Sequence, residues 1–196
     1  MIKSVTTLVA GAAFTATLFA AAPIPAQANE YTIDLSHSFI QFRTKHLGMS
    51  WLVGRFNKFE GTMNYDPSKG ADAQSIELII DTASIDTNWA DRDKHLRGAD
   101  FFNTDKFPTA TFKSTKYEGD ENGGKLSGDL TLLGVTKPIS FEIKRIGEGK
   151  DPWGGYRAGF EGTYTLARKD FGMDYNLGPA AENIDLELLI EGIKKK

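Results

Sequence analysis

The 196-residue chain contains no cysteine, which removes disulfides, thiol catalysis and thiolate metal sites together. Histidine is nearly as scarce, with only His37, His46 and His95. Asp91 and His95 have the i,i+4 spacing of a helical metal pair. A zinc site needs three or four ligands in tetrahedral geometry, and nothing clusters with these two. No metal is expected. No block of one charge dominates either: the net charge is −3, and a mildly acidic chain is a poor nucleic-acid binder. The run Lys194-Lys195-Lys196 reads as a solvated end. Serine, histidine and aspartate occur without the G-x-S-x-G elbow that would mark a hydrolase. Asp170-Phe171-Gly172 matches a kinase tripeptide, but no glycine-rich loop, strand lysine or catalytic-loop motif accompanies it.

One long uncharged run is present, Val5–Ala22, preceded by Lys3 and followed by Pro23, Pro25 and Ala26-Gln27-Ala28. This is the pattern of a secretory signal peptide over residues 1–28, cut before Asn29. No later stretch approaches the roughly 18 uncharged residues of a membrane span. Residues 29–196 show no repeat, low-complexity segment or linker and fit a single domain. Export with a bacterial-looking signal points to the periplasm.

Within that domain the apolar pattern has period two almost throughout. Tyr31–Leu35 opens it. Phe39–His46 follows, with Ile40, Phe42, Thr44 and His46 on one face and Gln41, Arg43 and Lys45 on the other. Val53–Tyr65 reads as one long strand and Gln74–Asp81 as another. Thr109–Tyr117 pairs with Lys125–Leu133; Ile139–Ile146, Tyr156–Ala167 and the alternation Ile184 to Ile190 complete the set. The exception is Thr87–Phe112. There Asn88 reads as an N-cap assisted by Asp91, Trp89–Arg97 as a helix, and Gly98 as its end. On that helix Asp91 faces His95, and Asp93 faces Arg97. Eight or nine short-linked strands with one helical insertion argue for an all-β antiparallel barrel.

A barrel of eight strands is either filled by side chains or just wide enough for one small ligand. Gly128, Ala158 and Gly162 on the inner face could widen a cavity or relieve strand bends. The corner His46–Leu52 is unusually apolar for a turn. It plugs one end, or it forms an apolar lip at a barrel mouth with His46 as a polar contact; Phe101-Phe102 carries the same two readings.

Five segments together resemble the YceI-like family of exported bacterial proteins: HLGMSWLVGRF (46–56), DRDKHLRGADFFN (91–103), FPTATF (107–112), GDLTLLGVTKP (128–138) and DPWGGYRAGFEG (151–162). The resemblance implies a lipocalin-like, extended eight-stranded antiparallel β-barrel with one short helical insertion. It also implies a polyisoprenoid lipid, such as a polyprenyl quinone or polyprenyl phosphate, held in an apolar pore without catalysis and without a cofactor. From face and position, the pore candidates are Phe42, Val53, Phe59, Ile76, Leu78, Ile80, Phe112, Leu130, Phe141, Phe160 and Leu188. Those for the head group and mouth are Arg43, His46, Trp51, His95, Arg97 and Phe101. Expected partners are an isoprenoid lipid, an inner-membrane redox or lipid-handling protein, and a second copy in a homodimer. Two alternatives stand beside this: an enzyme using His46 or His95 as acid or base on a small apolar substrate, and a stress-related structural or interaction module.

Overall fold

The computed structural model describes residues 28–196; the signal-like run lies outside the described residues. The strands are β1 (Asn29–Ile33), β2 (Phe39–His46), β3 (Ser50–Phe56), β4 (Phe59–Tyr65), β5 (Ser75–Asp81), β6 (Ile85–Asp86), β7 (Thr109–Gly119), β8 (Gly123–Leu132), β9 (Val135–Lys150), β10 (Tyr156–Ala167) and β11 (Asn183–Lys194). Among the described residues one α-helix, α1 (Ala90–Arg97), interrupts them. All ladders are antiparallel. The order β1-β4-β5-β7-β8-β9-β10-β11 is closed by the β1–β11 pairing, giving an eight-stranded barrel.

β2, β3 and β6 extend three staves of that barrel at one end, called here the upper end. β11 pairs with β1 through Gly192–Lys194 and with β2 through Asp185–Leu189. Ser38 bridges the gap between β1 and β2: its hydroxyl donates to Glu191 O and accepts from Glu191 N–H. Likewise β4 pairs with β1, and its upward continuation β3 pairs with β2. The long strand expected over Val53–Tyr65 is therefore two. Asn57 and Lys58 both point outward, so the inner face moves from Leu52, Gly54 and Phe56 to Phe59, Met63 and Tyr65. A one-residue change of parity sends every side chain to the opposite face.

Above Asp81 the sheet splits, because β6 follows β3 while β7 starts beside β5. The segment between Thr87 and Pro108, with α1, fills that split. It is tied down by Thr82, whose hydroxyl donates to Phe107 O and whose N–H donates to Pro108 O. The helix starts one residue later than expected. Asn88 is left-handed (φ 63°), Trp89 is the N-cap residue, and Asp93, not Asp91, accepts the Thr87 N–H and hydroxyl. The expected helical ion pairs do not form: His95 turns to Asp100, and Arg97 donates to the carbonyls of Ala83 and Ile85. Asp93 is itself buried and taken by Thr87, which leaves Arg97 to satisfy backbone carbonyls whose unpaired burial would be costly.

Small inner residues seat rings. A Cβ on Gly128 would lie 2.6 Å from the Phe112 ring, and one on Gly54 would lie 2.3 Å from that of Phe42. Two hairpins, β2–β3 and β8–β9, turn on Leu-Gly pairs with both residues at positive φ: Leu47 and Gly48, then Leu133 and Gly134. These are the mirror-image turns whose twist matches the strands they join. Asp170-Phe171-Gly172 belongs to a 3-10 turn closed by left-handed Gly172, with Phe171 in the core.

Candidate ligand-binding cavity

The barrel is not filled. A cavity of about 700 Å³ runs through it, within the range of about 300–1,000 Å³ typical of ligand sites. Every stave contributes apolar side chains from its inner face. Phe42, Ile76, Leu78, Ile80, Phe112, Leu130, Phe141, Phe160 and Leu188 all line it, as do His46, His95 and Phe101 at its upper end. Phe112 packs on Phe141, and Phe141 on Tyr164, with ring centroids 5.7 and 6.1 Å apart. Gly162 also lines the cavity and stands opposite Leu188 across the β10–β11 ladder.

Five sequence candidates lie elsewhere. Val53 is 55% exposed because the parity change between β3 and β4 puts it on the outer face. Phe59 is in the core but behind the wall, not on it. Arg43 is on the outer face of β2, paired with Asp185 at 3.3 Å. Its guanidinium lies 4.4 Å from the ring centre of Trp51, which also points outward. Arg97 spends its donors on the carbonyls already described.

Polar lining residues sort by position. At the lower end they are uncharged: Asn64 donates to Ser75, the Gln74 amide holds Asp66 O, and the Tyr117 hydroxyl donates to Asp120 O. Tyr65 lines this end by its ring, while its enclosed hydroxyl has no hydrogen bond among the described residues; burial pushes that phenol up to about 12. Apart from Glu161, the charged lining residues belong to the upper end: Lys45 and His46 from β2, Asp91, Arg92 and His95 from α1, and Arg168 after β10.

Two of these cations are held rigidly. Arg92 donates to the Thr87 hydroxyl and carbonyl. Arg168 is only 4% exposed, and its guanidinium binds the carbonyls of Ala181, Met173 and Tyr175. Burial lowers its pKa, against the pull of Glu182 and Asp174. This arginine staples the segment 168–182 over the upper end, where Met173, Leu177 and Ala181 join the cavity wall. Sequence reasoning missed it; an arginine directly after a strand, facing a Gly- and Pro-containing stretch, is the signal that was there. His95 connects α1 to the same segment, its ring edge-on to Phe101 at 5.0 Å and Tyr175 at 5.3 Å. Its Nε2 lies 2.9 Å from Asp100, and both side chains are about half exposed, with Asp100 outside the cavity wall.

A second cluster lies on the outer face of β10 and β11 and ties the β1–β2 connection to the loop between β9 and β10. Arg157 bridges Asp34, Asp151 and Glu191 at 2.6, 3.0 and 2.5 Å, and Asp34 also accepts from Ser36 and His37. Burial alone would raise the Asp34 carboxyl, but these hydrogen bonds outweigh it and hold it well below the usual carboxylate range. Asp34, His37 and Glu191 are close enough to share a cation; the Arg157 guanidinium supplies that charge.

A closed barrel with an apolar bore and charges gathered at one mouth defines a lipocalin-like barrel. The chain belongs to the YceI-like family: residues 31–192 match the YceI-like domain. It is 52% identical over 172 residues to a UPF0312 protein of Pseudomonas aeruginosa, covering 87% of this chain and 90% of that one. Among solved structures it resembles a YceI protein of Campylobacter jejuni (TM-score 0.70, 31% identity, 78% of this chain and 90% of that one). It also shares its fold with a polyisoprenoid binding domain from Saccharophagus degradans implicated in plant cell wall breakdown (TM-score 0.64, 17% identity, 84% and 98% covered).

Proposed function

We propose that this chain is a periplasmic carrier for a long-chain isoprenoid lipid, a polyprenyl quinone or polyprenyl phosphate, and performs no catalysis on it. The observation that carries this reading is the apolar cavity of about 700 Å³ with its charges at the upper mouth. A polyprenyl tail gains about 25 cal/mol for each Å² removed from water, and the bore offers isobutyl and aromatic surface along its whole length. A phosphate or quinone oxygen left at the mouth meets Lys45 and His46, donors suited to either. The likeness in fold to a polyisoprenoid binding domain supports the tail chemistry. The signal-like run 1–28 supports export.

The test is native mass spectrometry of protein purified from the periplasm, with lipid analysis of its organic extract. The expected result is a stoichiometric adduct that extracts as an isoprenoid. A bare polypeptide mass that takes up neither added polyprenyl quinone nor polyprenyl phosphate would sink the reading.

A further inference from the structure

At the tip of the β2–β3 hairpin, Leu47 is 67% and Met49 86% exposed. Trp51 and Val53 follow them on the outer face of β3, also exposed. Four large apolar side chains in seven residues form a contiguous patch, not the scattered singles a surface normally carries. The turn itself adds a second anomaly. Leu47 holds φ 54°, a conformation that a side chain with a Cβ adopts at a cost, and which glycine or asparagine adopts more cheaply. Leu133 occupies the same position in the β8–β9 turn, but there the side chain packs on the core and recovers that cost. Leu47 has no such return while it faces water. Strain and apolar exposure at one residue point to a contact made outside the chain.

Charge around the tip narrows what that contact is. From Leu35 to Phe59 there is no aspartate or glutamate, while Arg43, Lys45, Arg55 and Lys58 all fall there, in a protein of net charge −3. Arg43, Arg55 and Lys58 reach exposed carboxylates on neighbouring strands; Lys45 makes no ion pair among the described residues. Arg43 and Lys45 flank the Trp51 ring, the latter's Nζ 3.9 Å from its centre. An indole between cations, beside aliphatic side chains, is the composition that settles at the headgroup level of an anionic bilayer. The patch is also continuous with the cavity: Lys45, His46 and Leu47 belong to its wall.

We propose that the β2–β3 hairpin tip docks the upper mouth of the barrel on an anionic lipid bilayer, so that a tail passes between membrane and bore without crossing water. This rests on the carrier reading for its purpose, but its test does not. Purified protein is sedimented with vesicles of phosphatidylethanolamine and phosphatidylglycerol, and with vesicles of phosphatidylcholine alone. Loading with polyprenyl quinone from detergent solution is measured separately on the same samples. Wild type is expected to sediment with the anionic vesicles and to lose that binding in high salt. Met49→Glu, a change at a solvent-facing position, is expected to weaken sedimentation by roughly tenfold or more while loading from detergent stays at the wild-type level. Docking is overturned if wild type sediments with neither vesicle, or if Met49→Glu sediments like wild type. It is also overturned if the substitution instead turns a dimer into a monomer in light scattering. That result would assign the patch, and the β3 edge that β6 leaves uncovered beyond Arg55, to a second copy of the chain. Failure of wild type to load from detergent counts against the carrier reading alone, since vesicle binding is read without cargo.

Discussion

Leu188→Trp separates an open bore from a packed core by the sign of one number. Leu188 sits on β11 between Ile40 on β2 and Gly162 on β10, and lines the cavity with both. In a filled interior a larger side chain forces its neighbours off their rotamers, at about 1–3 kcal/mol. For a domain of this size that lowers Tm by about 2–12 °C. In the barrel described here the indole extends from the wall into the cavity that Leu188 lines. It buries on the order of 50 Å² of additional apolar surface, worth about 1 kcal/mol before the rotamer cost is subtracted. The ligand-free variant should therefore melt within a few degrees of wild type, at or above it. Cargo then discriminates in the other direction. A ligand at a hundred times its Kd stabilises wild type by about 2.7 kcal/mol, a shift of roughly 5–11 °C. The variant, its bore obstructed halfway along, should show little of that shift. Calorimetry with and without a polyprenyl quinone measures both quantities. A ligand-free Tm many degrees below wild type would refute the open bore, and an undiminished ligand shift would refute its use.

The Arg157 cluster should make the protein sensitive to acid. The Asp34 carboxyl is depressed in the folded state, so its contribution is complete above the unfolded value of about 3.9 and is lost as pH falls toward the folded one. Asp34→Asn should flatten the dependence of urea midpoint on pH below about pH 4. Arg157→Met leaves Asp34, Asp151 and Glu191 facing one another and should cost about 3 kcal/mol at neutral pH, read from the same urea curves; a change within error would remove Arg157 as the group that holds these carboxylates together. Arg168→Lys keeps the charge but loses the planar fork that reaches three carbonyls. It should cost about 2 kcal/mol and open the segment 173–180 to limited proteolysis, while unchanged protection would show that the segment is held by its apolar contacts instead.

Strand positions and the barrel were legible because inner and outer residues alternate cleanly on most staves. Phe39–His46 and Tyr156–Ala167 coincide with β2 and β10 at both ends. Where alternation slips, reading a face by counting fails. The outward pair Asn57-Lys58 flips β3 against β4, and the shift between Ser114 and Lys116 does the same within β7. Local pattern does not mark either, since polar residues at a strand bend and on an outer face look alike. The helix was legible as an element but not in its partners. Asp93, Arg92 and Arg97 are committed to backbone groups of Thr87, Ala83 and Ile85, and no sequence spacing announces which carbonyls a fold will leave unpaired. Arg168 was missed for the same reason.

The displaced residues are themselves informative. Arg43, Trp51 and Val53 were read as pore and mouth because cations, indole and a β-branched side chain suit a lipid. The chemistry was sound for lipid, but the parity put it on the other side of the wall. Ile40, Phe42 and His46 face the bore from the same hairpin whose outer face carries Arg43, Trp51 and Val53. A two-sided apolar hairpin is expensive to expose, and an ordinary antiparallel sheet keeps its solvent face polar. Covering the outer face with headgroups while the inner one holds a tail explains both faces with one kind of partner. If Met49→Glu leaves vesicle binding intact, that economy is lost, and the outer patch must answer to a protein surface rather than a lipid one.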